Sequence, residues 1–404
     1  MSDAYIYDAL RTPRGRGLPG GALFEVKPIR LLVDCLEAMR RRLDLPQLPL
    51  ETDDLIVGCA LPTDDQGYNI ARAALLQAGW ETARGGIQIN RFDASGLEAV
   101  NQAAARVATG WDDLILAGGL DSMSRVPYLT SNGPMVNDPQ TIIDTHYIPQ
   151  GVAADLVATL EHISREELDE FALRSHQRAR TARDAGWFAP SLEHIRDRNG
   201  LIILDQDEWI TGEVNREQLA AHEARYRELG SAGFDIMAMH RFPLVEYIDH
   251  RHTVGNSAQA TDGAALALIG SEQKGKQFGL RPRAKVRSAA LATVDAAVLG
   301  GGAVAAQMAL EKAGLKEADV DLWEFNESFA ANCISFQRTL AIPDDKFNVL
   351  GGSIALGHPL GATGLMLVCH VLDELERRDQ TFGLLTINSG AGLAVATLLE
   401  RVAP

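Results

Sequence analysis

The sequence of 404 residues predicts an α/β fold built from two related halves with a polar segment between them. Three observations carry that prediction. Short apolar runs alternate with longer stretches of helical periodicity in the first part of the chain, and the same alternation returns from about Arg283. Between about Gly119 and Arg251 the chain is richer in polar and charged stretches and has fewer strand-like runs, which fits a loop or cap segment.

In chain order, Leu55 to Ala60 reads as a buried strand, followed by a helix through Ile70 and Leu76, a short strand at Ile87 to Asn90, a helix following Ser95, and a strand at Leu114 to Ala117. Within the polar segment, Ser164 stands three residues before Glu167 and opens a pattern with Leu168, Phe171, Ala172 and Ser175 on one side. That is a capped helix with one packed face. Its basic residues Arg174, Arg178 and Arg180 are taken as a solvated helical face rather than as a phosphate site. In the last third, Asp319-Val320-Asp321-Leu322-Trp323 parallels Asp53-Asp54-Leu55-Ile56-Val57. Leu384 to Ile387 parallels Leu114 to Ala117, so the two halves share an order of elements.

Charge and cysteine usage narrow the function. Lys and Arg number 38 against 54 Asp and Glu, a net charge of −16, which repels a phosphate backbone and argues against nucleic acid as a partner. Cys35, Cys59, Cys333 and Cys369 form no CxxC pair and no metal spacing, so neither disulfides nor a metal site are expected. No run of about twenty apolar residues argues for membrane insertion. No basic segment followed by an apolar run opens the chain, so a cytoplasmic protein is the expectation.

Four stretches concentrate chemistry-bearing and small residues: Asn90-Arg91-Phe92-Asp93-Ala94-Ser95-Gly96, Asn326-Glu327-Ser328-Phe329-Ala330, the Gly-rich run from Gly351 to Gly364 that contains His358, and Asn388-Ser389-Gly390-Ala391-Gly392. Glycines permit close backbone approach, while His358 and Asn326 are side chains that orient water or stabilise an enolate oxygen. Alone, His358 reads as a hydrogen-bonded structural histidine and Asp93 as a possible helix cap. The joint occurrence of His358, Asn326 and small-residue loops favours a catalytic reading of both.

These stretches resemble the thiolases of acyl-coenzyme A metabolism. The resemblance extends over nearly the whole chain, through Gly118 to Pro127, Ser164 to Ala179 and Gly255 to Gly263. It implies a thiolase fold of two related mixed-sheet αβαβα domains with an inserted loop domain. The implied boundaries are 1–120 and 251–282 for the N-terminal core, 121–250 for the loop or cap domain, and 283–404 for the C-terminal core. It also implies a homodimer or homotetramer, and coenzyme A as part of an acyl-CoA substrate or product rather than as a tightly bound cofactor.

The family uses two cysteines, one as acyl carrier and one as proton shuttle. Here Asp93 stands at the first position and Asn388 at the second. The resemblance assigns one oxyanion hole to Asn326 and His358 and a second to the backbone N–H groups of Asp93 and Gly390. It also places Ser257 and Ala258 among the coenzyme A contacts, with Ala258 where a serine is common. An aspartate is charged at neutral pH but is a weak carbon nucleophile compared with a thiolate, and an asparagine transfers no proton. The expectation drawn from this is water-dependent retro-Claisen hydrolysis of a C–C bond in a β-oxo or cyclic β-diketone acyl-CoA, with Asp93, His358 and Asn326 catalytic. The alternatives are thioester hydrolysis, another CoA-dependent reaction, residual thiolase or acyltransferase activity, and an inactive acyl-CoA-binding or structural protein.

Overall fold

The computed structural model describes residues 3–80, 85–128, 130 and 132–403. Nine strands and eight helices position the site. The strands are β1 (Ala4–Arg11), β2 (Asp54–Gly58), β3 (Ile87–Ile89), β4 (Leu114–Ser122), β5 (Thr261–Ser271), β6 (Ala284–Thr293), β7 (Leu322–Phe325), β8 (Phe382–Asn388) and β9 (Leu393–Arg401). The helices are α1 (Pro28–Arg42), α2 (Ile70–Gln77), α3 (Ser95–Ala108), α4 (Gln150–Leu160), α5 (Arg165–Asp184), α6 (Gly302–Ala313), α7 (Ala330–Thr339) and α8 (Leu360–Arg377).

The strand order is β7-β8-β9-β6-β1-β5-β4-β2-β3. In the first half β2 runs parallel to β3 and β4, while β5 runs antiparallel to both β4 and β1. In the second half β7 and β8 are parallel, and β9 is antiparallel to β8 and β6. The sequence β2-β4-β5-β1 is thus repeated as β7-β8-β9-β6, which is the internal similarity expected from the paired acidic turns. The halves meet where β1 pairs with β6, at Tyr5 with Lys285 and Ile6 with Ala284.

Side chains on a strand alternate between faces, and that alternation sorts the apolar residues into layers. Ile115 and Ala117 of β4, with Leu385 and Ile387 of β8, pack into a central layer with α3 and α8. Leu114 and Leu116 face α1 and α2 on one outer side. Leu384, Ala394 and Ala396 face α6 and α7 on the other. The result is an αβαβα stack.

Helix α8 is buried at every residue from Leu360 to Leu375, and its buried carboxylates are paired, Asp373 with Arg283 and Glu374 with Arg377 and Arg378. It crosses α3 and β4 at backbone contact. A Cβ on Gly96 would lie 2.3 Å from the Gly361 carbonyl, one on Gly364 2.3 Å from Leu97 N, and one on Gly119 2.4 Å from the Gly361 carbonyl. This explains why β4 outruns its expected end at Ala117. Gly118 and Gly119 continue the ladder with β5 and leave room for α8 rather than turning the chain.

In the polar segment, Ser164 caps α5 with a full capping box: its Oγ accepts Glu167 N–H at 3.2 Å, and Glu167 Oε2 accepts Ser164 N–H at 2.8 Å. The basic face of α5 is tied to the protein itself. Arg178 donates to the Phe347 carbonyl and to Asp344, and Arg180 lies 3.8 Å from Asp184. No helix among the described residues is long and apolar enough to cross a membrane.

Candidate active site

Asp93 sits on the strand-to-helix turn between β3 and α3. Phe92 adopts φ +49°, an uncommon conformation for a residue with a side chain. Side-chain bonds hold it there: Asn90 Oδ1 accepts Phe92 N–H at 2.8 Å, while Ser95 Oγ accepts Arg91 N–H at 2.8 Å and donates to the Phe92 carbonyl at 2.5 Å. The turn aims the next residue, Asp93, inward at the amino end of α3, where the helix dipole favours a negative charge.

His358 enters from the loop before α8. Gly357, at φ +92°, allows the approach, because a Cβ there would lie 2.2 Å from Thr261 Oγ1. The His358 N–H reaches the Gln259 carbonyl and Thr261 Oγ1, each at 3.0 Å. Thr363 Oγ1 is hydrogen-bonded to His358 Nδ1 at 2.7 Å and lies 3.3 Å from the Pro359 carbonyl. That orients the ring and presents Nε2 to the site.

His358 Nε2 lies 3.1 Å from Asp93 Oδ1 and 3.2 Å from Asn326 Nδ2. Asn326, at the end of β7, has its amide fixed: Oδ1 accepts from Ser353 Oγ–H at 2.6 Å and Nδ2 donates to Ser328 Oγ at 2.9 Å. An imidazole nitrogen this close to a carboxylate oxygen needs a proton between them. That proton lies on Nε2 and ties the ring to the Asp93 carboxylate.

The second oxygen of Asp93 accepts from Gln150 Nε2 at 2.9 Å and from Ser389 Oγ at 3.4 Å. Burial alone would raise the Asp93 carboxyl. The hydrogen bonds from His358 and Gln150 and the His358 charge outweigh it and hold the group below the usual carboxylate range. In front of Asp93 lies a cavity of about 100 Å³, whose walls include Gln150, Tyr128, Tyr147, Leu360 and Gly390.

The structure therefore brings Asp93, His358, Asn326 and Gly390 together, and it separates the other expected site residues from them. Asn388 turns the other way, donating from Nδ2 to the Leu299 carbonyl at 2.7 Å on the far side of β8. Ser257 is buried and bridged to Phe329, and the N–H of Ala258 donates to the Ser328 carbonyl. Both lie behind the Asn326 segment rather than on the wall of the Asp93 cavity. Gln150, Thr363 and Ser389 complete the constellation. Thr363 and Ser389 fall inside the Gly-rich and Asn388 motifs, whereas Gln150, at the start of α4, carries no sequence signal.

All four cysteines are buried. Burial pushes the thiols of Cys35, Cys59 and Cys333 well above the ordinary range and that of Cys369 up to about 12, so none stands in for the missing sulfurs. No group of three or more His, Cys, Asp or Glu residues suited to a metal ion occurs among the described residues.

Residues 4–233 match the family model of the thiolase N-terminal domain, and residues 280–401 match that of the thiolase C-terminal domain. The chain belongs to the thiolase family. It is 37% identical over 409 residues to a 3-ketoacyl-CoA thiolase of Photorhabdus laumondii, with both chains fully covered, and 36% identical to one of Shewanella loihica, covering 99% of this chain and 100% of that one. Among solved structures, the Bacillus anthracis acetyl-CoA acetyltransferase superposes with a TM-score of 0.85 at 31% identity, covering 100% of this chain and 99% of that one. The human mitochondrial 3-ketoacyl-CoA thiolase in complex with CoA gives a TM-score of 0.85 at 28% identity, with 100% and 98% covered.

These relatives correct one expectation. The two missing cysteines point to water-dependent retro-Claisen hydrolysis, yet relatives at 36–37% identity along the whole chain are named thiolases, not hydrolases. The loss of a sulfur specifies which step is weakened, but it does not specify water as the new acceptor.

Proposed function

We propose that this thiolase-family protein is a coenzyme A-dependent enzyme acting on the bond between C2 and C3 of a 3-oxoacyl-CoA, with Asp93 as acyl carrier in place of a thiolate. The reading rests on one observation: Asp93, His358 and Asn326 converge on a single buried point, with His358 Nε2 3.1 Å from the Asp93 carboxylate and 3.2 Å from the Asn326 amide. The relatives' names support the substrate class.

The Asp93 carboxylate attacks the C3 carbonyl, and the C2–C3 bond breaks with its electron pair leaving as the enolate of the shorter CoA thioester. Hydrogen bonds from His358 and Asn326 stabilise the enolate oxygen, a contribution of about 2.7–4 kcal/mol for one effective donor. Acylation removes the negative charge facing Nε2, and His358, acting as an imidazolium, protonates C2 so that the thioester departs. Neutral His358 then takes the proton of an incoming coenzyme A thiol. The thiolate attacks the acyl-Asp93 anhydride, and the carboxylate and imidazolium are regenerated. Turnover is expected to be slow, because a carboxylate is a weaker nucleophile toward carbon than a thiolate. The cytoplasm and a homo-oligomeric assembly belong to the same reading.

A second reading, acyl-CoA binding without turnover, draws on Asn388. The position at which the family carries its proton shuttle is occupied by an amide committed to the Leu299 carbonyl.

The test incubates the protein with a series of 3-oxoacyl-CoA thioesters in ¹⁸O-labelled water, with and without free coenzyme A, and reads products by mass spectrometry. Two unlabelled CoA thioesters, formed only when coenzyme A is present and absent with Asp93→Ala, support the proposal. Labelled carboxylate formed without coenzyme A refutes it, and binding without any product leaves the second reading standing.

A further inference from the structure

We infer that Gln150 is a catalytic residue that sets the balance between loading and unloading of Asp93, by donating to the carboxylate as it re-forms. The inference rests on Asp93 acting as the acyl carrier. Gln150 is the first residue of α4, yet its side chain turns in to the buried Asp93 and forms part of the wall of the Asp93 cavity. Its Nε2 donates to Asp93 Oδ2 at 2.9 Å, and because an ionised carboxylate only accepts, the amide is fixed with its nitrogen inward. Ser389 Oγ, at 3.4 Å, is the weaker partner of the same oxygen. The start of α4 is set by other contacts. Gly151 lies flush against Tyr226, where a Cβ would come within 2.3 Å of the ring. Further along, the buried Asp155 is hydrogen-bonded to the Nδ1 atoms of His250 at 2.8 Å and His252 at 2.7 Å, and accepts from the N–H groups of Arg251 and His252 at 3.0 and 2.9 Å. These bonds hold α4 in place and leave the Gln150 amide to Asp93.

The effect follows from which oxygen is taken. Oδ1 faces His358 Nε2 at 3.1 Å, on the side where His358 and Asn326 receive the enolate oxygen. With Gln150 on Oδ2, the acyl group is carried on Oδ1. In the free carboxylate both oxygens share the negative charge, so the Gln150 bond is charge-assisted. In the acyl-Asp93 anhydride Oδ2 is a neutral carbonyl oxygen, and the same bond is about half as strong. Release reverses that change: the coenzyme A sulfur bonds to the acyl carbon, the bond from that carbon to Oδ1 breaks, and its electron pair returns to the carboxylate. The Gln150 N–H strengthens its bond as that charge appears. Gln150 therefore draws the equilibrium from acyl-Asp93 toward the free carboxylate.

The experiment mixes the full-length protein with acetoacetyl-CoA, quenches in acid at short times, and reads the acetyl adduct by intact-protein mass spectrometry. Addition of coenzyme A then gives the rate at which the adduct is lost. At fixed concentrations, the ratio of loading rate to unloading rate is expected to rise at least about fivefold in Gln150→Met, which keeps the length of the side chain and removes the donor. It is expected to fall below the native value in Gln150→Lys, which brings a charged donor to the same reach. A purely structural Gln150 would slow both steps together and leave the ratio where it was. An unchanged ratio in Gln150→Met, or a raised one in Gln150→Lys, overturns the inference, and the lysine variant decides if the methionine variant fails to fold. No adduct on the native protein overturns the acyl-carrier reading and this inference with it, whereas a native adduct with an unchanged ratio overturns the inference alone.

Discussion

Replacing Asp93 by asparagine keeps the shape of the side chain and removes its charge, and the structure sets the size of the effect. The carboxylate faces His358 Nε2 at 3.1 Å through one oxygen and Gln150 Nε2 at 2.9 Å through the other. Hydrogen bonds to a charged group contribute about 1.5–3 kcal/mol each and neutral ones about 1 kcal/mol. Asparagine has a single acceptor oxygen, and its NH2 group must point at a donor, so two charge-assisted bonds become one neutral bond. Allowing for relaxation, the loss is about 2–4 kcal/mol at neutral pH. The sign with pH follows from the depressed Asp93 ionisation: the contribution is present above the ordinary carboxylate range and is lost as pH falls through the folded value. Urea unfolding of both proteins from pH 7 to pH 3 should therefore show Asp93→Asn unfolding at lower urea at pH 7, with the gap narrowing below about pH 4. Equal stability at pH 7, or a gap indifferent to pH, would refute the ion pair.

Three further outcomes are expected. Asp93→Cys places a thiol on the same inward-aimed turn and should raise coenzyme A-dependent cleavage of acetoacetyl-CoA at least tenfold, read as acetyl-CoA formed. Gly364→Ala puts a Cβ 2.3 Å from Leu97 N at the α3–α8 crossing and should destabilise the protein by about 1–3 kcal/mol, or more where the backbone does not yield, measured by urea unfolding. Ser164→Ala removes the cap of α5 and should cost about 1 kcal/mol by the same measurement, with cleavage activity unaffected because α5 lies outside the Asp93 cavity.

The convergence of Asp93, His358 and Asn326 was legible because each sits in a short motif with small neighbours, and the repeat of acidic turn and apolar run announced that two related halves would bring those motifs together. Gln150 was not legible: it is an ordinary polar residue at the start of a helix, and only the packing of α4 against the Asp93 turn gives it a partner. Asn388 keeps its place in the motif, but the direction of its side chain is legible only from its strand. Counting by two along β8, Leu385 and Ile387 face the central layer while Leu384 faces α6 and α7, so the side chain of residue 388 belongs to the outer face. The hydrolytic expectation failed for a chemical reason. Replacing a thiolate by a carboxylate changes how well the acyl group is carried, and the acceptor that finally removes it is chosen by what enters the site.

The buried thiols have a consequence beyond catalysis. A thiolase-family protein that relies on a reactive cysteine is open to attack by peroxide, electrophiles and alkylating reagents. This chain has Asp93 where the family resemblance places the acyl-carrying cysteine, and it keeps all four sulfurs buried and protonated. It should retain its full folded mass and its ligand affinity after exposure to iodoacetamide at neutral pH, conditions that modify an accessible thiolate. Such a protein would keep its activity under oxidative stress that silences thiol-dependent enzymes of the same fold.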